Sequence, residues 1–217
     1  MRDRSAPLTE ADVVELAWDK MGGLIPAVVQ DRRSGEVLMV AYMNTESLQA
    51  TLASGFATFF SRSKQRLWQK GEASGNRLKV EGVFTDCDAD SLLVLADPEG
   101  PACHLGTRSC FEADLAGAGW LSQLSAIIAL RAASGDGSSY TRKLLDQGVE
   151  RIAQKIGEEG TEVALAAVTR DSAGCAEEVA DLVYHVSVLM EARGFSWDDV
   201  VALLKQRHSE RSSTASS

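Results

Sequence analysis

The spacing of apolar residues changes near residue 112, and this change limits the folds open to the 217-residue chain. Before it, short runs of apolar and β-branched residues alternate with Gly- and Ser-containing segments, which is typical of strands. After it, apolar residues such as Leu121, Leu124 and Ile128 recur at helical spacing. The sequence therefore predicts an α+β, β-rich N-terminal domain at residues 1–112, followed by an all-α domain at residues 120–209.

The predicted elements follow from these runs and from helix start and stop signals. Asn44 or Thr45 can cap a short helix that Gly55 ends. Strands are predicted at 24–31, 35–43, 57–63, 77–87 and 91–98. Helices are predicted at 121–131, in two stretches of 140–170 interrupted near Gly157 or Gly160, at 175–193 before Gly194, and at 197–208 with Ser196 as N-cap, while 134–139 is a flexible break.

Charge and hydropathy narrow the classes of function. A net charge of -9 argues against non-specific nucleic-acid binding. No apolar run approaches the roughly 20 residues of a membrane span, and the charged N-terminus lacks the apolar centre of a secretory signal. We therefore expect a cytoplasmic protein without nucleic-acid or membrane partners, whose cysteines are reduced and either bind metal or are buried.

Three of the four cysteines, Cys87, Cys103 and Cys110, fall within 24 positions. Their spacing is not that of a zinc-finger knuckle, whereas three thiolates with a fourth position left for water are the pattern of catalytic zinc. His104 beside such a site could act as a general base or proton shuttle, or it could be a hydrogen-bonded surface histidine. For the thiols, the alternative is burial as small apolar side chains.

Asp86, Asp88 and Asp90 stand at alternate positions on either side of Cys87. On an extended strand, alternate residues share one face, so the three carboxylates are predicted to point one way and the thiol the other. Three hard oxygen ligands suit Mg²⁺, whereas a thiolate selects a softer ion such as Zn²⁺. The alternative is an ordinary solvated acidic turn.

Residues 24–111 resemble phosphoribosyl-AMP cyclohydrolase of histidine biosynthesis. The resemblance is carried by AVVQD (27–31), GEVLMVAYMN (35–44), SRS (61–63), LWQKGEASGN (67–76), DCDAD (86–90) and GPACHLGTRSCF (100–111). It implies a hydrolase that opens the adenine ring of phosphoribosyl-AMP between N1 and C6. It also implies a homodimer with active sites at the subunit interface, so that the thiols of one site can come from two chains. The implied ligands are Cys87, Cys103 and Cys110 for Zn²⁺ and Asp86, Asp88 and Asp90 for Mg²⁺.

The substrate contacts of this domain are less sharply defined. Residues 70–77 offer basic side chains and backbone amides to a phosphate, although such residues are common in any loop. Ala73 and Leu105 depart from the family pattern, which has Thr at both places. The predicted substrate-binding residues are Lys70, Ser74, Gly75, Asn76 and Arg77, with His104 as the catalytic residue.

A second group of candidate ligands lies on the predicted helices. Glu158, Glu159 and Glu162 fall within one helical turn, and Glu178 and Asp181 are i, i+3 on the next helix. Like charges at these spacings repel each other, and a cation between the helices would relieve the repulsion. A solvated acidic face is the alternative, although apolar residues follow next in line on the second helix.

Residues 121–190 resemble phosphoribosyl-ATP pyrophosphohydrolase, a member of the all-α NTP pyrophosphatases. The resemblance is carried by SSYTRKLLDQG (138–148), RIAQKIGEEGTEVALAA (151–167) and EEVADLVYHVSVLM (177–190). It implies Mg²⁺-dependent cleavage between the α- and β-phosphates of phosphoribosyl-ATP. Lys155 could face the triphosphate or be merely solubilising, and His185 receives no role. The implied magnesium ligands are Glu158, Glu159, Glu162, Glu178 and Asp181, with Glu159 and Glu162 as the catalytic residues.

Both halves thus resemble hydrolases of one pathway, and the product of the C-terminal reaction is the substrate of the N-terminal one. We therefore predict a bifunctional histidine-biosynthesis enzyme that uses Zn²⁺ and Mg²⁺, binds phosphoribosyl-ATP and phosphoribosyl-AMP, and forms a homodimer. Two alternatives remain open. The helical domain could be a general nucleotide pyrophosphatase, and the thiols could hold a purely structural zinc ion.

Overall fold

The computed structural model of the protein describes residues 3–111, 117–134 and 137–214, without the side chains of residues 210–214. The chain divides into two compact units, Met1–Gly119 and Trp120–Ser217, each with its own buried core. Among the described residues the first unit is rich in strands and the second is helical, which confirms the predicted fold class. The predicted domain limit at residue 112 and part of the predicted break at 134–139 lie outside the described residues.

A four-stranded mixed sheet forms the frame of the N-terminal unit. The elements of this unit are, in chain order, a 3-10 helix (Glu10–Glu15), β1 (Ile25–Asp31), β2 (Val37–Met43), α1 (Thr45–Ser54), β3 (Thr58–Ser61), β4 (Arg66–Gln69), β5 (Leu78–Thr85), β6 (Leu92–Pro98) and a one-turn 3-10 helix (Gly117–Gly119). The strand order is β2-β1-β6-β5. β1 is parallel to β6, and the two outer strands are antiparallel to their neighbours.

Alternation along the strands places one face of this sheet in the core. Ile25, Ala27 and Val29 of β1 are fully buried, and the residues between them are half-buried. α1 follows β2 as predicted, because Asn44 accepts a hydrogen bond from the amide of Ser47 at 2.9 Å and caps the helix.

The strand that the sequence did not predict is β4. It has four residues and pairs with β3 in a separate two-stranded sheet. Phe59 lies opposite Trp68 in this pair, with the ring centroids 5.7 Å apart. Its sequence, RLWQ, does not alternate between polar and apolar residues, so the pairing with β3 is what defines this strand.

The loop after β6 is fixed to the sheet by Arg108. Its Nε lies 2.6 Å from Glu36 Oε2, and its Nη2 lies 2.6 Å from Asp31 Oδ2. Both carboxylates are buried, since the side chain of Asp31 is only 3% exposed and that of Glu36 only 8%. Because buried charges must be paired, this cluster holds the loop that carries Cys103 and Cys110 against β1 and the start of β2.

The C-terminal unit consists of five helices among its described residues. They are α2 (Trp120–Ala133), α3 (Tyr140–Asp146), α4 (Val149–Thr169), α5 (Ser172–Arg193) and α6 (Trp197–Thr214). The centre of its core is formed by four fully or almost fully buried residues, one from each of the helices α2 to α5: Ile128, Leu144, Ile152 and Val188. No helix in the described ranges is both long enough and apolar enough to cross a membrane.

The predicted interruption near Gly157 or Gly160 is wrong, because α4 continues through both residues. The break lies earlier, at Gly148, where φ is +88°. Glycine adopts that conformation without steric cost, whereas a glycine inside a helix only weakens it by about 1 kcal/mol. The helix α4 therefore continues despite its two interior glycines.

The next helix also begins earlier than predicted, at Ser172 rather than Cys175. Asp171 accepts a hydrogen bond from the amide of Gly174 at 2.9 Å and is the N-cap. The predicted end at Gly194 is confirmed, since this residue adopts the left-handed conformation of a helix C-cap.

We expect Arg108→Met to lower the stability of the N-terminal unit by about 3 kcal/mol, since it leaves two buried carboxylates without their cation. Native-state hydrogen exchange of the β1 and β6 amides measures this unit by itself. Arg66→Met is the matched control, because Arg66 pairs with Glu72 on the surface and such pairs contribute less than about 1 kcal/mol. Equal effects of the two substitutions would contradict the assignment of Arg108.

Candidate active sites

The three aspartates converge in the connection between β5 and β6, residues 86–91, which we call the Asp turn. Asp88 is exposed, and Asp90 is partly buried. Such a set of carboxylates has the donor chemistry of a site for a hard divalent cation. One carboxylate oxygen from each residue lies within 4.8 Å of the other two, and the residues are Asp86, Asp88 and Asp90.

The prediction that these residues lie along an extended strand is wrong, because β5 ends at Thr85. Asp86 Oδ1 instead accepts hydrogen bonds from the amides of Asp90 and Ser91, at 3.1 and 3.2 Å. Ala89 adopts a left-handed conformation with φ of +60°. This aspartate-stabilised reversal of the chain, rather than the period of a strand, brings the carboxylates together.

Lys20 is a residue of this site that sequence reasoning missed. Its Nζ lies 2.5 Å from Asp88 Oδ2 and also contacts Asp90 Oδ2. These hydrogen bonds, first to Asp88 and then to Asp90, raise the pKa of Lys20 and lower the pKa of Asp88. No local signal could have found it, because Lys20 precedes Asp88 by 68 residues.

The thiols of Cys103 and Cys110 lie near each other in the loop after β6. The amide of Cys103 donates to Thr107 O at 3.1 Å, which closes a tight turn, and the amide of Cys110 donates to Leu38 O at 2.8 Å. Partial burial raises the pKa of the Cys110 thiol, and the neighbouring Cys103 raises it further. The pair is therefore held by backbone contacts to its own loop and to β2.

Cys87 is not part of this thiol pair within one chain. It is exposed and lies on the Asp turn, where Asp86 and Cys87 line a pocket of about 230 Å³. Within the described ranges, no group of three potential metal ligands contains a cysteine. The other residues that line this pocket are Arg4, Leu8, Asp12, Glu15, Leu16, Thr85 and Ala89.

The loop 70–77 packs beside the thiol pair. Lys70 is 7% exposed and its Nζ donates to Asn76 O at 3.1 Å. Burial lowers the pKa of Lys70, and the thiols of Cys110 and Cys103 oppose that change. Asn76 lies against Gly100, where a Cβ atom would come within 2.6 Å of Asn76 Oδ1. This contact joins the loop to the segment that carries the thiols.

The remaining predicted residues of this site lie at its exposed edge. Arg77 pairs with Glu99 at 2.9 Å and lies over the ring of Phe56, while Ser74 Oγ accepts from the amide of Asn76 at 3.3 Å. Gly75 has a positive φ of +77° that a tight loop needs. His104 is exposed in the turn between Cys103 and Thr107.

In the helical unit, α4 and α5 bring three carboxylates together. Glu159 and Glu178 are buried, whereas Asp181 is exposed. Their oxygens lie within 4.8 Å of one another, which is a separation that one divalent cation can bridge. The residues of this group, which we call the helix cluster, are Glu159, Glu178 and Asp181.

Glu162 borders the helix cluster, whereas Glu158 pairs with basic residues of its own helix. The negative charge of Glu159 raises the pKa of Glu162, and partial loss of water and Glu178 raise it further. Glu158 is 3.0 Å from Lys155 Nζ, and this contact lowers its pKa. Of the five predicted ligands, the structure thus groups three and places Glu162 beside them, while Glu158 shares Lys155 with Glu159.

Two cations contact the helix cluster. Lys155 Nζ lies 2.8 Å from Glu159 Oε1, and Arg170 Nη1 lies 2.5 Å from Glu178 Oε1. Arg170 directly follows α4, and sequence reasoning missed it. It also lines an open pocket of about 510 Å³ between the end of α4 and the start of α5.

His185 holds the helix cluster from the buried side. Its Nδ1 lies 2.8 Å from the carbonyl oxygen of Asp181 and 3.6 Å from Glu159 Oε1. Because a carbonyl oxygen only accepts, Nδ1 carries a hydrogen. Nε2 lies 3.2 Å from the hydroxyl of Tyr140 on α3, so the ring links three helices beside the helix cluster.

Comparison with known proteins assigns both units. The family model for phosphoribosyl-AMP cyclohydrolase matches residues 39–112, and that for phosphoribosyl-ATP pyrophosphohydrolase matches residues 121–208. The chain is 55% identical over 193 residues to the histidine biosynthesis bifunctional protein HisIE of Xanthomonas campestris, covering 89% of this chain and 93% of that protein. This chain belongs to the same family.

Other members of this bifunctional family are similar over the same length. The HisIE proteins of Vibrio vulnificus and Escherichia coli K12 are 49% and 51% identical, with 91% and 93% of this chain and 97% and 99% of those proteins covered. The predicted recognition of a bifunctional histidine-biosynthesis hydrolase, with cyclohydrolase and pyrophosphohydrolase activities, is confirmed. Lys20 and β1 precede the first family match, which begins at residue 39.

We expect Glu162→Gln to stabilise the metal-free helical unit at pH 7. A carboxyl whose pKa is higher in the folded chain than in the unfolded chain lowers stability as pH rises above its ordinary value of 4.5. The cost is complete once the pH exceeds the raised pKa, and it disappears at lower pH. Thermal unfolding in EDTA at pH 7 and pH 4 measures it, with the exposed Glu177→Gln as control. No rise in Tm at pH 7 would contradict the charge repulsion at Glu162.

Proposed function

We propose that the chain carries out two consecutive hydrolyses, the first at the helix cluster and the second at the thiols and the Asp turn. The C-terminal unit cleaves phosphoribosyl-ATP to phosphoribosyl-AMP and pyrophosphate. The N-terminal unit then opens the adenine ring of phosphoribosyl-AMP between N1 and C6. The observation that carries this proposal is that each compact unit has its own three-carboxylate group within 4.8 Å, inside the unit that matches the corresponding enzyme family.

In the helical unit, the donor set fits magnesium. Three carboxylate oxygens converge there, and two side-chain cations contact these carboxylates, so the group attracts positive charge. Bound magnesium would neutralise the triphosphate and favour the departure of pyrophosphate. The proposed ligands are Glu159, Glu178 and Asp181, with Glu162 beside them and Glu158 joined to the group through Lys155.

Two of these residues have proposed catalytic roles, because their surroundings differ. Glu159 is held by Lys155 and lies near His185, so its carboxylate is fixed in place. Glu162 is exposed and has a raised pKa, which suits a group that accepts a proton from the attacking water. That water attacks the α-phosphorus atom, the bond from this atom to the bridging oxygen breaks, and the bridging oxygen leaves with the pyrophosphate. Lys155 is in reach to contact the phosphates.

In the N-terminal unit, thiolates are the donors that zinc prefers. Two of them, Cys103 and Cys110, lie together in one chain, and the third, Cys87, lies on the Asp turn. Bound zinc would supply hydroxide at neutral pH. The Asp turn would hold magnesium, since Lys20 already stands there as a cation between Asp88 and Asp90.

The remaining residues of this unit bind the substrate and move its protons. His104, exposed beside Cys103, would take a proton from the attacking water and pass it to N1 as the N1–C6 bond breaks. The water oxygen then becomes the carbonyl oxygen of a carboxamide. Lys70, Ser74, Gly75, Asn76 and Arg77 form the proposed phosphate-binding loop, in which buried Lys70 supports the thiols while Arg77 faces outward.

A homodimer would complete the zinc site with Cys87 of a second copy. The placement of Cys87 apart from the thiol pair supports this proposal, and so do exposed apolar residues near the pair, such as Leu105 and Phe111. A cytoplasmic location belongs to the same proposal, because thiolate ligands need a reducing compartment.

We expect the two activities to separate by mutation. Cys87→Ser should lower ring opening of phosphoribosyl-AMP by roughly 100-fold or more, since loss of even an outer partner of a metal ligand costs 10- to 100-fold. Release of pyrophosphate from phosphoribosyl-ATP should continue. Glu162→Ala should have the reverse effect. Loss of both activities in either folded variant would refute this division of labour.

We also expect a mixture of Cys87→Ser and Cys103→Ser chains to regain activity. Random pairing gives heterodimers with one intact site, so ring opening should return to about a quarter of the wild-type level. A mixture of Cys103→Ser and Cys110→Ser chains is the matched control and should stay inactive, because both substitutions fall on the same half-site. Hydrogen exchange of the β1 and β6 amides checks that the N-terminal unit of every variant is folded. A silent first mixture would show that the site is not shared between chains.

A further inference from the structure

Lys20 forms ion pairs with two carboxylates of the Asp turn. Its ammonium group touches Asp88 Oδ2, at 2.5 Å, and Asp90 Oδ2 at the same time. Asp86, the third carboxylate, lies within 4.8 Å of both at its nearest oxygen. A single ammonium group therefore bridges two of the three acidic side chains.

The backbone holds Lys20 at this position. The amide of Ala17 donates to the carbonyl oxygen of Ala89, inside the Asp turn, at 2.8 Å. On the other side of Lys20, the amide of Gly23 donates to Trp18 O at 2.8 Å. The indole of Trp18 is fixed in turn by a 2.7 Å hydrogen bond to Val13 O. Lys20 thus projects from a short segment that is tied to the turn it neutralises.

A divalent cation and this ammonium group need the same oxygens. Mg²⁺ binds carboxylate oxygens at 2.0–2.1 Å, and an ammonium group hydrogen-bonded to those oxygens would then lie within a few ångströms of the ion. Like charges at that distance repel strongly, and no lone pairs of Lys20 can serve the metal. The two cations therefore exclude each other.

We propose that Lys20 is a resident counterion of the Asp turn, which a divalent cation must displace. The proposal rests on the magnesium site given above for Asp86, Asp88 and Asp90. In the metal-free enzyme, Lys20 holds two of the ligands in place and reduces their mutual repulsion. Its competition with the ion lowers the affinity of the turn for divalent metals.

The test is the affinity for Mn²⁺, a spectroscopically visible substitute for Mg²⁺. Titration uses the full chain with Glu159→Gln and Asp181→Asn, which remove the helix cluster as a second binding site. In this background, Lys20→Gln should tighten Mn²⁺ binding by roughly three- to tenfold, the effect expected from removing one exposed and one partly buried ion pair. Lys20→Arg should restore an affinity close to that of the parent.

Lys79→Gln is the matched control, because it removes the same charge from an exposed pair with Glu81 on β5. It should leave the Mn²⁺ affinity nearly unchanged. An equal effect of Lys20→Gln and Lys79→Gln would reduce the result to net charge and overturn the proposal. Unchanged or weaker binding by Lys20→Gln would overturn it as well.

Asp88→Asn in the same background separates this proposal from the proposed metal site. If Asp88→Asn leaves Mn²⁺ binding intact, the magnesium site at the Asp turn is itself wrong, and the role of Lys20 falls with it. If Asp88→Asn abolishes binding while Lys20→Gln fails to tighten it, only the role of Lys20 is wrong. A crystal structure with Mn²⁺ should show Lys20 Nζ more than about 4 Å from Asp88, beyond ion-pair distance.

Discussion

Carboxylates that gather at one point repel each other, and this chain gathers them twice. In both units, side-chain cations contact these carboxylates and reduce their mutual repulsion. Lys20 bridges Asp88 and Asp90 on the Asp turn, and Lys155 and Arg170 contact Glu159 and Glu178 in the helix cluster. Because a group of three negative charges is costly without positive charge nearby, these ion pairs let the folded chain keep the three carboxylates of each group together.

The two groups are assembled in different ways, and the difference follows from chain geometry. The Asp turn is local: Asp86 caps its own reversal by accepting from the amide of Asp90, so neighbours in the sequence meet. The helix cluster needs two helices, because Glu159 on α4 and Glu178 on α5 meet only when these helices pack. His185 stabilises that packing from behind, with bonds that reach α3 and its own helix.

Much of this architecture was predictable, and the exceptions have physical causes. The change of period near residue 112 separates a strand-rich unit from a helical one, and motif resemblance identifies both hydrolase families. Residue spacing did not predict the Asp turn correctly. Aspartates at every second position fit one face of a strand, and they also fit the observed reversal, in which Asp86 accepts from the amides of Asp90 and Ser91. The sequence also failed to place the helix break at Gly148, because the position of a glycine in the sequence does not show whether it adopts a positive φ.

By itself, the sequence determined features that depend on neighbouring residues: a cap at Asn44 or Thr45, the stop at Gly194, and the carboxylates one helical turn apart on α4. Only the tertiary structure decided which distant charges meet. Lys20 reaches Asp88 across 68 residues, and Arg108 reaches Asp31 across 77. Local hydrogen bonds and periodicity depend on residues that are close together in the sequence. A pairing over such separations forms only after the sheet has formed and its loops have packed on it.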